Sequence, residues 1–283
     1  MKKRILVTGA NGYIGRYVVK NLLDMGAEVL AADMRTEGID PRARILQENI
    51  FSDKEGLFAA LGSPDACIHL AWKDGFVHNS DAHMGCLSDH YRVLRRMLQE
   101  GLPQILVMGS MHEVGYWEGA IDENTPCNPV SLYGIAKDSL RRALFAMTSG
   151  QNVTVQWLRG YYIYGDDERS ASIFGKICAA EERGQEWFPF TTGKNKYDFV
   201  EVDQLGKMIA ATAMQREVTG IINCCSGVPV SLAEQVESYI RGKNMKIRLQ
   251  YGAFPDRPYD SPGVWGDASK IRKIMETRQD SPE

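Results

Sequence analysis

Short runs of β-branched and aliphatic residues alternate with longer amphipathic runs through the first half of the chain. Arg4 to Val7, Glu28 to Ala32, Ile45 to Gln47, Ala66 to Leu70, Gln104 to Met108, Val153 to Leu158 and Gly220 to Cys224 read as strands. Between them, Tyr13 to Met25, Leu87 to Glu100 and Leu132 to Met147 place apolar residues every three or four positions, as helices with one buried face do. Beyond Gly165 the rhythm loosens, and Gly, Asp and aromatic residues interrupt helices expected around Ile173 to Glu182, Asp203 to Met214 and Leu232 to Arg241. Strand and helix in alternation predict an α/β fold, a Rossmann-type doubly wound parallel sheet with a small C-terminal substrate-binding lobe. Residues 1–165, continued by 196–225, are expected to form the core, and 166–195 with 226–283 the lobe.

Composition narrows this picture without changing it. At 283 residues, 44% hydrophobic and 24% charged, the chain can bury a full core. A formal net charge of −3 gives no general attraction to nucleic acid or anionic membranes, so neither is an expected partner. The six cysteines lack C-x-x-C spacing and several lie in apolar runs, which predicts reduced, structural thiols. The five histidines fall between His69 and His112 without metal-ligand spacing, so no metal is expected. The apolar stretch after the basic start ends at Val7, too short for a signal h-region, and no run is long enough to span a membrane. A cytoplasmic location is the resulting expectation.

Candidate chemistry begins where the first strand ends. Thr8-Gly9-Ala10-Asn11-Gly12-Tyr13-Ile14-Gly15 is a glycine-rich turn leading into an amphipathic helix. Glycines at 9, 12 and 15 permit a tight turn, close approach of a pyrophosphate to the backbone, and close packing of helix on sheet. Free N–H groups along Gly12, Tyr13, Ile14 and Gly15, with the positive end of the helix dipole, would receive the phosphates. Asp33 ends the second strand eighteen residues after Gly15, near the ~20-residue offset at which a carboxylate reaches the adenosine ribose. That carboxylate repels a 2′-phosphate and favours NAD, whereas Arg35 would accommodate NADP.

Tyr133-Gly134-Ile135-Ala136-Lys137 places a phenol and an ammonium four apart, on one helical face. A nearby ammonium and an oxidised nicotinamide lower the phenol's pKa, which suits proton exchange with a sugar hydroxyl or carbonyl during hydride transfer. Asn49-Ile50, His69-Leu70-Ala71-Trp72, Asp122-Glu123-Asn124-Thr125-Pro126, Arg159 to Gly165, Tyr197-Asp198-Phe199-Val200 and Arg257-Pro258-Tyr259-Asp260 complete a wider pattern. With the glycine turn, these motifs resemble the extended short-chain dehydrogenase/reductase family, in its NAD-dependent epimerase/dehydratase branch that works on nucleotide sugars.

The resemblance implies that Asn49 and Ile50 contact the adenine. His69-Leu70-Ala71-Trp72 matches an H-L-A-A segment under the cofactor, bringing in Leu70 and Ala71. Arg257 would grip the substrate's diphosphate, as a guanidinium can hold two oxygens at once. Relatives commonly dimerise through the helices corresponding to Leu87 to Glu100 and Leu132 to Met147, which implies a homodimer, although Arg92, Arg95 and Arg96 crowd the first helix.

Several positions depart from the family pattern. Relatives place a Ser or Thr where Met111 stands, and a thioether cannot donate a hydrogen bond. Three alternatives remain: Ser110 replaces it, His112 does, or tyrosine and lysine act alone. Dehydratases carry Asp-Glu where His112 and Glu113 stand; the glutamate retains a base, but the histidine disfavours standard dehydration. Tyr162 replaces an Asn and Tyr197 an Arg near the substrate phosphates, so aromatic stacking on a base or sugar competes with plain packing. The expected activity is NAD(P)-dependent oxidoreduction or epimerisation of a nucleotide-activated sugar through Tyr133 and Lys137, by 4-keto reduction or C4 epimerisation. The competing expectation is a non-catalytic dinucleotide-binding sensor or scaffold with the same fold.

Overall fold

The computed structural model describes residues 2–165, 172–256 and 260–279. Its main layer contains β1 (Arg4–Thr8), β2 (Glu28–Ala32), β3 (Arg44–Leu46), β4 (Ala66–His69) and β5 (Gln104–Ser110). The chain then forms β6 (Gly119–Ile121), β7 (Thr154–Gly160), β8 (Tyr162–Tyr164), β9 (Trp187–Pro189), β10 (Lys196–Glu201) and β11 (Gly220–Cys224). β12 (Pro229–Ser231), β13 (Arg248–Gln250) and β14 (Gly263–Gly266) follow. The helices are α1 (Gly15–Asp24), α2 (Leu57–Ala60), α3 (Ala82–Gly85), α4 (Leu87–Gln99), α5 (Leu132–Thr148), α6 (Ile173–Glu182), α7 (Val202–Ala213), α8 (Leu232–Gly242) and α9 (Ser269–Gln279).

The main sheet is parallel, in the order β11-β7-β5-β4-β1-β2-β3. Alternate residues of β1 enter different cores. Ile5 and Val7 pack with Val18 and Val19 of α1 and Leu205 of α7, whereas Leu6 packs with Leu94 of α4 and Leu140 of α5. This division follows from the two-residue period of a strand, and it leaves both faces covered by helices. Chain order reverses between β1 and β4, whose ends align at Thr8 and His69, so their carboxyl ends open a crevice of the kind that receives ligands in such sheets.

A second sheet, β12-β10-β14-β6 with β8 against β10, stands beside the main one, and β9 pairs with β13. Its strands are only three to six residues long, and their apolar residues are mixed with Gly, Asp and Lys. Such strands carry little period-two signal and escaped the pattern. The segment 269–279, expected in the lobe, instead forms α9; its Ile271 and Ile274 are buried and the helix packs against α7 and β11. The six cysteines form no disulfide, and burial pushes the Cys67 thiol up to about 12.

Candidate active site

A cleft of about 2400 Å³ runs along the carboxyl ends of β1, β4 and β5 toward the second sheet. At one end, the chain leaves β1 through Gly9, whose φ of +71° suits glycine; a Cβ there would lie 2.7 Å from the Ala71 nitrogen. Gly15 opens α1 so close to the turn that a Cβ would sit 2.0 Å from the Gly9 carbonyl oxygen. No side chain caps this helix; of its first amides, Arg16 donates to the Gly12 carbonyl at 3.4 Å and Tyr17 to the Ile14 carbonyl at 3.1 Å. Gly9, Gly12, Tyr13, Ile14 and Gly15 all line it.

Asp33, at the end of β2, also lines the cleft and braces the turn. Its Oδ2 accepts from the Asn11 backbone N–H at 3.0 Å and its Oδ1 from the Arg35 N–H at 3.1 Å. A carboxylate retains further acceptor capacity after two such bonds. Arg35 is exposed, two residues from Asp33, and is not among the residues lining the cleft. Asn49 and Ile50 line the same end, and Leu70 and Ala71 form the floor between β1 and β4.

At the other end, α5 begins with Ser131, whose hydroxyl accepts from the Gly134 N–H at 3.1 Å. The segment between β4 and α4 completes this helix start: the His78 carbonyl accepts from the Tyr133 N–H at 2.9 Å, and Asn79 Oδ1 from the Leu132 N–H at 3.2 Å. Tyr133 is thereby held against Ser110 at the end of β5. Burial raises the phenol's pKa above its usual value, and the Ser110 hydroxyl beside it draws it partway back down. Ser110 Oγ accepts from the His112 N–H at 3.2 Å, which leaves its own proton for the tyrosine oxygen. Of the side chains raised as alternatives to Met111, Ser110 and His112 both line the cleft, and Ser110 is the one that lowers the phenol's pKa. Met111 is 5% exposed, faces the cleft and packs in the core beneath it.

Lys137 is buried one helical turn below Tyr133. Its Nζ donates to the Met108 carbonyl at 2.7 Å and lies 3.6 Å from the centroid of the Trp72 ring, against 5.7 Å for the Tyr133 ring. Burial lowers its pKa to about 7, opposed by the Glu113 charge. The ammonium is engaged most closely by Trp72 and the Met108 carbonyl, with the Tyr133 ring 5.7 Å away, while the Ser110 hydroxyl draws the phenol down.

Glu113, expected on the substrate, points the other way. Fully buried, its carboxylate accepts from the Ser110 N–H at 2.6 Å and from Trp157 Nε1 at 2.9 Å, and faces Arg159 and Arg141, each at 3.5 Å. The cause is the tight turn Met111–Glu113, in which Glu113 closes a reciprocal cap with Ser110. Burial pushes its carboxyl up, opposed first by Arg159. His112 does border the cleft, 4.3 Å from the ring of His78, and burial lowers its pKa to about 4.

Tyr162 lines the far end, packed at 4.2 Å on Tyr197 and 5.7 Å from Phe199, so these aromatic replacements pack on one another beside the cleft. Lys176 of α6 borders the same end. Arg257 lies outside the described residues.

Sequence reading missed the convergence of the histidines. His78 stacks on Tyr133 at 5.5 Å and His83 meets it edge-on at 5.2 Å. His90 stacks on Trp72 at 4.3 Å and bonds His69 at 2.9 Å, which bonds Thr8 Oγ1 at 2.9 Å. The one available signal was Trp72 itself, in place of an expected alanine. Among the described residues no group of His, Cys, Asp or Glu is arranged to hold a metal ion.

The model of the NAD dependent epimerase/dehydratase family matches residues 5–225. The chain is 45% identical over 269 residues to the dTDP-6-deoxy-L-talose 4-dehydrogenase (NAD(+)) of Aggregatibacter actinomycetemcomitans, covering 93% of this chain and 98% of that enzyme. It superposes with a TM-score of 0.80 on the UDP-glucose 4-epimerase of Thermotoga maritima solved with UDP-glucose, at 22% identity, covering 95% and 91% of the two chains. The UDP-glucose 4-epimerase of Thermus thermophilus solved with NAD gives 0.80 at 20% identity, covering 97% and 93%. The fold agrees with these matches, and the chain belongs to the NAD dependent epimerase/dehydratase family.

Proposed function

We propose that this protein is an NAD-dependent 4-dehydrogenase of a nucleoside diphosphate-activated 6-deoxyhexose, working reversibly as the corresponding 4-keto reductase. The observation that carries the reading is the 45% identity to the dTDP-6-deoxy-L-talose enzyme across 93% of this chain, with Tyr133, Ser110 and Lys137 assembled on one wall of the cleft. The uncapped start of α1 and the backbone-crowded glycines fit a dinucleotide pyrophosphate, and Asp33 fits the adenosine ribose of NAD. When bound, the nicotinamide supplies hydride transfer to or from C4 of the sugar.

The chain's own groups handle the proton. Tyr133 Oη takes the proton of the C4 hydroxyl in oxidation and returns it in reduction. Ser110 donates to the same oxygens and supports the phenolate as it forms. Lys137 keeps a positive charge beneath the site while it is protonated. With Tyr162 and Tyr197 in place of amide and guanidinium, the sugar end is bounded by aromatic surface, and Lys176 and Arg257 are the cations assigned to the diphosphate.

The test is the absorbance of reduced nicotinamide when the purified protein receives NAD and a dTDP-6-deoxyhexose. Stoichiometric, multiple-turnover formation of NADH is the expected result. Interconversion of two sugars with no net NADH would replace the dehydrogenase with an epimerase. A homodimer through α4 and α5 accompanies this reading. Their exposed positions carry the polar or small Arg92, Arg95, Ser139 and Ala146 together with the apolar Ile135; sedimentation equilibrium at twice the 31.7 kDa chain mass is expected.

A further inference from the structure

We infer, on the dehydrogenase reading given above, that Trp72 is a positioning residue: its indole face holds the Lys137 ammonium and keeps it a cation beneath the reacting tyrosine. The family pattern has alanine here, so the device belongs to this chain's own sequence. The indole is held in place from two sides. Its Nε1–H donates to His83 Nδ1 at 3.1 Å, and His83 Nε2–H in turn donates to the Val77 carbonyl at 2.9 Å. His90 stacks on it, its plane within 14° of parallel. The ring presents its face to Lys137 Nζ and stands edge-on to Tyr133, 6.2 Å away at 82°.

The physical need is plain. Lys137 is 3% exposed, and its Nζ has only one described hydrogen-bond acceptor, the Met108 carbonyl. An ammonium has three donors, and its burial favours the neutral amine. The negative face of an indole stabilises a cation without offering a base that would take its proton. The other groups around it contribute unequally. Tyr133 on α5 is neutral, Glu113 on the turn after β5 favours the cation, and His69 on β4 and His90 on α4 are kept neutral by burial and by Lys137 itself. His83 on α3, and His78 and His112 beside Tyr133, complete the ring of aromatic groups. Trp72 is thus the group in closest facing contact with the ammonium apart from the Met108 carbonyl.

Two variants separate the indole's charge effect from its bulk: Trp72→Leu fills space without a π face, and Trp72→Phe keeps a face without the N–H. Lys137 is followed in protein labelled with 13C lysine, its Cε signal assigned by loss in Lys137→Met. In Trp72→Leu the Lys137 midpoint is expected about one pH unit below that of the parent, and Trp72→Phe restores most of the difference. In turnover with NAD and a nucleotide sugar, Trp72→Leu is expected to match the parent near about pH 5 and to lose about tenfold in kcat above about pH 7, with sugar KM unchanged. The sign follows from the lower midpoint, since the cation is then lost earlier as pH rises. An unchanged midpoint in Trp72→Leu, or a kcat loss independent of pH, would overturn the assignment. If no nucleotide sugar is turned over by the parent while the midpoint still moves, the dehydrogenase reading falls and the Trp72–Lys137 assignment stands.

Discussion

The two ends of the cleft are built from different materials. At the nucleotide end, backbone does the shaping: Gly9 and Gly15 sit where a Cβ would meet main-chain atoms, and the described contacts of Asp33 run to two backbone amides. At the reacting end, side chains from β4, the following segment, α4, β5 and α5 converge on Tyr133 and Lys137. Backbone-made sites constrain residue type at fixed spacing, because only glycine fits where atoms nearly touch. Side-chain-made sites can be rebuilt as long as the reacting oxygen stays in reach, and it is there that this chain departs from the family pattern, at Met111, Trp72, Tyr162 and Tyr197.

The sharpest way to break this comparison is Tyr133→Phe, which removes one oxygen from the reacting end and nothing from the nucleotide end. Turnover should fall by about 10²–10⁴-fold while NAD affinity, read by calorimetry, is preserved. Unchanged turnover would return the protein to the class of dinucleotide sensors. Next in size is Glu113→Ala, which removes the buried carboxylate that faces Arg159 and Arg141 and accepts from Trp157 and the Ser110 amide. Urea unfolding should show a loss of about 3–5 kcal/mol. A smaller loss would mean that the buried ion cluster does not organise the turn carrying Ser110.

Ser110→Ala tests whether Ser110 has replaced the family's Ser/Thr at Met111. Losing one hydrogen bond to an ionising oxygen corresponds to about 1.5–3 kcal/mol, or a roughly tenfold to hundredfold lower kcat with little change in KM. The smallest effect is expected from Asp33→Ala, where two backbone amides lose their acceptor and repulsion of a 2′-phosphate disappears. The NAD-over-NADP preference in kcat/KM should shrink by about tenfold, corresponding to roughly 1.4 kcal/mol. A preference left intact would move the discrimination away from Asp33.

Much of the fold was legible because its determinants are periodic. The main-sheet strands and the helices α1, α4 and α5 lie within one or two residues of the expected segments, as apolar runs between polar faces dictate. The second sheet was not legible: β6, β8, β12 and β14 are short, and their pairing depends on partners far away in the chain, such as Val264 with Gly119. In the site, the glycine turn, Asp33, Tyr133 and Lys137 are signalled by their spacing and order together with the wider motif pattern. Glu113 was misplaced because a carboxylate beside a reactive serine looks like a base until its burial against Arg159 is seen. His78, His83 and His90 carry no spacing signal, because what they share is packing around Tyr133 and Trp72 from separate segments.

One feature of α5 extends beyond packing. Tyr133 occupies the first turn of a 17-residue helix, with Ser131, the His78 carbonyl and Asn79 already meeting amides around it. The aligned peptide dipoles of such a helix place roughly half a positive charge at that end. A phenolate forming there draws on a potential that does not titrate, whereas the lysine beneath it does. Proton transfer at Tyr133 is thus supported by one source that fades as the solution becomes alkaline and by another, fixed in the backbone, that persists.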